Sequence, residues 1–414
     1  MIYLTLIILI CITIYAYFRY KYLLCPAFIH NIMWIVSLIW LSFIKEKEYL
    51  TLSACILIIF GSIFFQIGHK FYITLGKKTE KRCVKNYKII PNITNIWILV
   101  SICFVLFFIN YNRYFKSIIK TRGLYWYNAI AGIKTDVGIV DSDYIGSAIQ
   151  YIFIALLILY LDTKSAERKL LKFPLLIMFF MNICIVVFVA TRNRMLFFVL
   201  PMLIAFLLCK EKNNKDILKY VLLLATAFIA YFISVGMGKY FYNYSSGFAL
   251  DTFLVEFGSY LCTGVINLGY SIEHFQWTLN GKNTFSFFSA VYGKITGNSY
   301  TIVSTVTDIP LIFGRFKSNV FTFYDLYLRD FGVIYSLFMQ FFVGVLHGNL
   351  YFRINKKNMM VRYLFCMLIY PLVMQFFLDQ YVSLTSLWIQ VILAGFLIYK
   401  TNLFFQFKYE DDCN

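Results

Sequence analysis

The sequence predicts an all-α membrane protein that crosses the bilayer many times, and three observations support this. Hydrophobic residues make up 61% of the 414 residues, charged residues make up only 14%, and the mean hydropathy is +0.72. A soluble domain contains about 45–50% apolar and about 25% charged residues. The apolar residues also cluster in segments of ~20, the length that spans a bilayer. In lipid, only helices can satisfy the backbone groups of such separate segments.

The segments that are long and apolar enough to span a bilayer number about eleven, with a range of about ten to twelve. We expect a single integral membrane domain over residues 1–414, with one large extracytoplasmic loop, 237–330, packed on the helix bundle. Within that loop, 251–275 has the pattern of one or two helices, and 292–324 is predicted to be loop and short extended pieces. The predicted spans are 2–18, 28–44, 50–68, 94–110, 145–161, 173–190, 195–209, 217–236, 331–352, 360–378 and 384–399.

Basic connecting segments predict the orientation, because loops with excess lysine and arginine stay in the cytoplasm. Residues 69–92 carry seven Lys/Arg against one Glu. Alternating from there places the basic stretches 162–172, 210–215 and 353–358 on the same side, with the C-terminus. The net charge of +18 therefore indicates membrane insertion and contact with anionic lipid rather than nucleic-acid binding. The segments predicted to lie outside are 111–144, 191–194 and 237–330.

Two arginines, Arg192 and Arg194, lie in a short predicted external turn between two apolar spans. The positive-inside rule disfavours cations there, whereas guanidinium groups bind phosphate oxygens through paired donors. A pyrophosphate on a membrane lipid is one ligand that fits this position. Anchoring of both side chains at the interface is the structural alternative.

The end of the large loop, GRFKSNVFTFYDLYLRDFG (314–332), carries more charges near the outer surface. Arg315, Lys317 and Arg329 are cations, and Asp325 and Asp330 are carboxylates. Asp330 precedes the predicted span that starts at Phe331, so capping of that helix is the alternative to a functional role.

Other candidate groups have weaker patterns. Asp141 and Asp143 form a D-x-D directly before a span, where we favour helix capping over metal binding. Glu256, Glu273 and His274 in the large loop are candidate bases for a sugar hydroxyl, or solvated loop residues. The ten cysteines contain no C-x-x-C pair, which supports neither a zinc site nor a disulfide framework.

Several stretches resemble the oligosaccharide repeat-unit (O-antigen, Wzy-type) polymerases of bacterial inner membranes. VATRNRMLFFVLPMLI (189–204) is similar to that family's arginine-bearing turn between spans, and the family also has a large late loop. SNVFTFYDLYLRDFGVIYSLFMQFFVGVLHGNLYF (318–352) resembles its Asn-Val-Tyr-Thr run followed by Asp-Phe-Gly at a span, with Phe321 where tyrosine is common. YLLCPAFIHNIMWIVSLIW (22–40) is similar to its proline-containing second span.

The resemblance implies a lipid-dependent glycosyltransferase with a GT-C-like fold, whose active site faces the periplasm. Such enzymes transfer a growing glycan from undecaprenyl pyrophosphate to the non-reducing end of a new lipid-linked repeat unit, for O-antigen or capsular polysaccharide. They need no cofactor and no obligatory metal; their partners are membrane lipids and a chain-length regulator. By this resemblance, Arg192, Arg194, Arg315 and Arg329 would bind pyrophosphate, and Asp330 or Glu256 would orient or deprotonate the acceptor hydroxyl.

Three other functions stay open. An O-antigen ligase would pair His274 of the large loop with arginines. A polysaccharide flippase or exporter would have two similar halves and charged groups lining a path through the spans, neither of which is apparent in the sequence. A membrane acyltransferase would need an intramembrane histidine and acid; His347 lies in a span, although a single histidine on an apolar helix is usually a packing residue.

Overall fold

The computed structural model describes residues 1–44, 47, 49–79, 87–120, 143–189, 192–243, 250–274, 280–298, 320–354 and 358–409. Most of them are helical. The helices are α1 (Ile2–Tyr20), α2 (Pro26–Phe43), α3 (Leu52–Thr79), α4 (Ile93–Lys120), α5 (Tyr144–Asp162), α6 (Ser165–Val189), α7 (Arg192–Cys209), α8 (Asn214–Asn243), α9 (Leu250–His274), α10 (Ser286–Thr296), α11 (Asp325–Arg353), α12 (Met359–Val373) and α13 (Thr385–Lys400), with a 3-10 turn at Met374–Phe376.

Eight stretches of helix are long and apolar enough to cross a membrane. They are Ile2–Tyr20, Pro26–Phe43, Leu52–Tyr72, Ile93–Asn112, Tyr144–Asp162, Glu167–Phe188, Asp325–Arg353 and Met359–Phe376. Shorter apolar helices, Asn193–Cys209 and Thr385–Lys400, coincide with two more predicted spans, and the prediction 217–236 lies inside α8. The polytopic helical fold is therefore confirmed. The number of crossings beyond these eight stays a prediction.

Local sequence signals explain several helix boundaries. Pro26 opens α2 directly after the extended Cys25, because its missing N–H group is not needed in the first turn. Asp143 caps α5 by accepting a hydrogen bond from the backbone N–H of Gly146. Asn213 does the same for α8 by accepting from the N–H of Asp216 at 2.9 Å.

The chain divides into two compact units, and the single membrane domain over 1–414 stays a prediction. The first unit comprises Met1–Glu80, Ala249–Arg353 and Pro371–Ser386. The second comprises Lys81–Phe248, Ile354–Tyr370 and Leu387–Asn414.

Close packing of α3 against α11 forms the centre of the first unit. Gly344 and Gly348 of α11 form a Gly-x-x-x-Gly motif, and a Cβ on either would collide with the backbone of Phe65 or His69 in α3. Such small residues let two membrane helices approach closely. Helix α9 packs on α2, where the Ser37 hydroxyl donates to the Leu261 carbonyl. Helix α9 runs without a break from Leu250 to His274, so the stretch predicted as one or two helices forms one helix as far as His274.

The second unit contains a feature that hydrophobic segments alone did not predict. Strands β1 (Tyr87–Pro91) and β2 (Phe405–Tyr409) pair antiparallel, with Tyr87 opposite Tyr409 and Pro91 opposite Phe405. The pairing brings two predicted cytoplasmic segments together.

In the first unit, the prediction of loop over 292–324 is wrong for its first residues, because α10 extends to Thr296.

Candidate functional site

A kink at the start of α11 positions the charges that the sequence analysis singled out. Gly332 has φ 80° and ψ −173°, a conformation that side-chain-bearing residues essentially do not adopt. The glycine therefore separates a short helical segment that contains Asp325, Arg329 and Asp330 from the long helix that follows. Asp330 lies two residues before this break, near the predicted start of the span at Phe331, and capping of the long helix by Asp330 stays a prediction.

Asp325 and Arg329 form a buried ion pair. The Nη2 of Arg329 lies 2.9 Å from the Oδ2 of Asp325, and the two side chains are 8% and 4% exposed. The Ser271 hydroxyl of α9 donates to the other oxygen of Asp325 at 3.0 Å, and the Arg329 guanidinium lies 4.9 Å from the centre of the Phe321 ring. Arg329, predicted to bind pyrophosphate, is thus held beside a carboxylate and an aromatic face.

Asp330 is fully buried and binds a neighbouring loop. Its carboxylate accepts hydrogen bonds from the backbone N–H of Thr284 at 2.6 Å and from the Nδ2 of Asn283 at 2.8 Å. The carboxylate predicted to orient or deprotonate the acceptor hydroxyl is thus held in place by the loop that contains Asn283 and Thr284.

A third carboxylate, Asp379, organises the non-helical stretch before α13. It accepts hydrogen bonds from the backbone N–H groups of Tyr381, Val382 and Ser383 and from the Tyr327 hydroxyl at 3.1 Å. Burial raises the pKa of Asp379, and the hydrogen bonds from Ser383, Tyr381 and Tyr327 oppose that shift. Asp379 directly follows the predicted span 360–378, and the sequence analysis did not single it out. Aspartate and serine favour turns, and Asp379 and Ser383 lie between two apolar segments. This pattern would have pointed to a turn organised by Asp379.

The segment before α11 pairs with the 3-10 turn Met374–Phe376 and the residue after it, inside the first unit and next to these charges. The N–H of Phe323 donates to the Gln375 carbonyl at 2.7 Å, and the N–H of Phe321 donates to the Phe377 carbonyl at 3.1 Å. The Nδ2 of Asn267 in α9 donates to the Val320 carbonyl at 2.7 Å. Irregular backbone is tolerated at membrane depth where protein groups satisfy it or where it lines a cavity, and these bonds provide that satisfaction.

The second unit contains a charged cluster of its own, formed by Asp143 and Arg194. The Arg194 Nη2 lies 2.9 Å from the Asp143 Oδ2, and its Nη1 donates to the Ser147 hydroxyl at 2.5 Å. Tyr111 donates to the same carboxylate, as does the Nδ2 of Asn110 at 3.0 Å. The capping prediction for Asp143 is confirmed. Arg194, predicted to bind pyrophosphate, is occupied by a carboxylate.

The remaining predicted site residues are less fully described. Arg192 is the first residue of α7, so Arg192 and Arg194 belong to a helix and not to the connecting turn. Glu256 lies within α9 and His274 is its last residue; the structure describes only the backbone at Arg192, Glu256 and His274. Arg315 and Asp141 lie outside the described residues. Glu273 is exposed, and the Ser53 hydroxyl donates to it at 3.5 Å.

A set of buried histidines in the first unit was missed by the sequence analysis. His30 of α2 stacks on Phe65 at 4.2 Å between ring centres, and His347 of α11 lies 6.0 Å from the same ring. The His347 Nε2 is 2.8 Å from the Tyr381 hydroxyl, and the Gln340 Nε2 is 3.2 Å from the His30 Nδ1. The view of His347 as an isolated packing residue is therefore incomplete.

Comparison of the chain with protein-family models, with characterised proteins and with solved structures finds no match. Within the described residues, no group of three or more His, Cys, Asp or Glu side chains has the arrangement of a metal site.

Proposed function

We propose that the chain is a polytopic glycosyltransferase of the bacterial inner membrane that polymerises undecaprenyl-pyrophosphate-linked oligosaccharide repeat units. The observation that carries the proposal is the buried cluster of Asp325, Arg329 and Asp330 at the kinked start of α11. Buried charges in a membrane protein are costly, and they are usually retained for function. The cluster lies in the 318–352 stretch that resembles the polymerases.

In the proposed reaction, the acceptor hydroxyl attacks the anomeric carbon of the growing glycan. The bond from that carbon to pyrophosphate breaks, and lipid pyrophosphate leaves with the electron pair. The hydroxyl proton passes to a carboxylate, for which Asp330 and Glu256 are the candidates. Guanidinium groups stabilise the leaving pyrophosphate; this role falls to Arg192, Arg194, Arg315 and Arg329.

Arg194 and Arg329 both need a change of partner to take that role. Their guanidinium groups lie 2.9 Å from the carboxylates of Asp143 and Asp325 respectively, so a phosphate would have to replace or join those anions. Arg192, the first residue of α7, is therefore the better residue for testing whether this part of the chain binds pyrophosphate. The proposed reaction uses no metal, and catalysis faces the periplasm.

The test uses the purified full chain in detergent with a synthetic undecaprenyl-pyrophosphate-linked repeat unit. A ladder of glycan lengths that survives a chelator, and that Arg192→Ala abolishes, is the expected result. Arg353→Ala is the matched control, because Arg353 is exposed at the other end of α11. Transfer that appears only after a lipid-core acceptor is added would identify a ligase instead.

A flippase or exporter is the second candidate, and the buried histidines favour it. Polar side chains in spanning helices commonly line a substrate or proton path. Within the described part of the chain, the Oε1 of Gln340 and the Nδ1 of His347 are buried without a hydrogen-bond partner. A transported group or a water molecule would bind at these two atoms.

The two candidates are distinguished in sealed vesicles that contain the protein and a fluorescent lipid-linked repeat unit. A membrane-impermeant quencher then reports which leaflet holds the label. Movement of label between leaflets without any increase in glycan length, lost in Gln340→Leu, would establish the exporter. Chain growth without movement would exclude it.

A further inference from the structure

An apolar groove lies between three helices of the second unit and has no role in the proposed chemistry. Its volume is about 410 Å³. Apart from the Tyr220 hydroxyl, the side chains along it are hydrocarbon or thioether, so its contents must be apolar. Two residues from each helix illustrate the lining: Leu157 and Leu161 of α5, Met202 and Phe206 of α7, and Tyr220 and Leu224 of α8.

One end of the groove lies at a tight helical hairpin. The ring centres of Phe206 and Tyr220 are 5.4 Å apart, edge to face. Just beyond them the chain reverses, with the N–H of Lys210 bonded to the Phe206 carbonyl and Glu211 in the left-handed conformation at φ 46°. The aromatic pair therefore marks the point where the groove meets the turn between α7 and α8.

Exposed lysines lie on the chain segments next to the residues at this end of the groove. Lys210 follows Phe206 by four residues, which places it on the same face of α7 one turn further on. Lys164, Lys215 and Lys219 are exposed on the adjoining segments. Lys212 and Asp216 form a surface pair at 3.8 Å, and Glu211 is the other acid of the turn. Among these named residues five lysines outnumber the two acids, and the turn belongs to a segment predicted to be cytoplasmic.

We propose that this groove binds an acyl chain of an anionic phospholipid of the cytoplasmic leaflet, with the phosphate beside Lys210 and the Tyr220 hydroxyl. Hydrocarbon fills apolar grooves at membrane depth, and basic pockets between spanning helices bind anionic headgroups. A tyrosine at the interface contributes an apolar ring and a polar hydroxyl. The inference does not depend on the proposed glycosyltransferase, whose chemistry would lie at the opposite membrane face.

Native mass spectrometry of the full chain in detergent tests the proposal. The protein is mixed with phosphatidylglycerol, phosphatidylcholine or undecaprenyl phosphate, and the lipid adducts are counted. Phosphatidylglycerol should bind more tightly than phosphatidylcholine by about fivefold for each lysine that contacts the headgroup. The double variant Lys210→Gln, Lys219→Gln should lose that preference, whereas Lys400→Gln, an exposed lysine at the end of α13, should keep it.

A second variant tests the groove itself. Leu224→Trp should fill it and remove the phosphatidylglycerol adduct, while Leu218→Trp on the same helix, where Leu218 is 53% exposed and lies outside the groove, should not. Equal binding of phosphatidylglycerol and phosphatidylcholine by the unmodified chain would overturn the proposal without any variant. Displacement of phosphatidylglycerol by equimolar undecaprenyl phosphate would also overturn it, because the groove would then belong to a polyprenyl lipid.

Discussion

The Nη2 of Arg329 lies 2.9 Å from the Oδ2 of Asp325 one helical turn earlier, in a pair whose side chains are 8% and 4% exposed. The Ser271 hydroxyl donates to the same carboxylate at 3.0 Å and thereby links α9 to α11. A helix from the predicted large loop is thus joined to a spanning helix through a charged group. The pair fixes the backbone that carries Asp330, the next residue.

Breaking this pair from one side should destabilise the protein strongly. Arg329→Met leaves the Asp325 carboxylate buried without its cation, which costs about 3–5 kcal/mol. Adding Asp325→Asn should recover part of that loss, because it removes the uncompensated charge. Thermal unfolding in detergent measures both effects. Lys212→Met breaks a partly exposed pair and should change stability by less than about 1 kcal/mol; an equal loss in the two single variants would contradict this.

A double-variant test separates the two roles of Arg194. If the role of Arg194 is to pair with Asp143, the single variant Arg194→Gln should lose stability. The double variant Arg194→Gln, Asp143→Asn should recover much of that loss, because no unpaired charge is left. If Arg194 also binds pyrophosphate, glycan polymerisation should stay lost in the double variant. Unfolding temperature and ladder length are measured on the same preparations. Recovery of both together would assign Arg194 a structural role only.

Gly332→Ala should be costly because of its backbone conformation. With φ 80° and ψ −173°, the residue lies in a region essentially restricted to glycine, and strain of about 1–3 kcal/mol follows. Gly297→Ala is the matched control: φ is 70°, ψ is 9°, and no atom lies within 4 Å of an added Cβ. Its left-handed conformation costs about 1–2 kcal/mol. An unfolding temperature of Gly332→Ala equal to that of the unmodified chain would contradict strain at the kink.

Gly344→Val should separate α3 from α11. An added Cβ there collides with the backbone of Phe65, which cannot move aside as a flexible side chain can. Overpacking of this kind costs about 1–3 kcal/mol. Leu346→Val is the control: Leu346 lies on the same helix and is 39% exposed, so its substitution should hardly change the stability. Yield and monodispersity after detergent extraction report the result. A Gly344→Val chain as stable as the control would contradict the close packing.

The sequence by itself determined the helical class and the approximate positions of the eight stretches of helix that are long and apolar enough to cross a membrane. Each span needs ~20 apolar residues, and that requirement is local to the segment. The signal that predicts Asp143 as a helix cap is equally local, because the capping side chain bonds an N–H group only two or three residues further along the chain. The β1–β2 pair was not predictable in this way, since its strands are separated by about three hundred residues of chain.

Only the tertiary structure decided which partner each charged group has. Arg194 meets Asp143 across 51 positions and Asp330 meets Thr284 across 46, distances over which composition and periodicity carry no information. The same holds for the assembly of His30, Phe65 and His347 from three helices. In lipid the spacing of apolar residues selects the spans, whereas buried polar groups select which spans pack together, because each must find a hydrogen-bonding partner away from water.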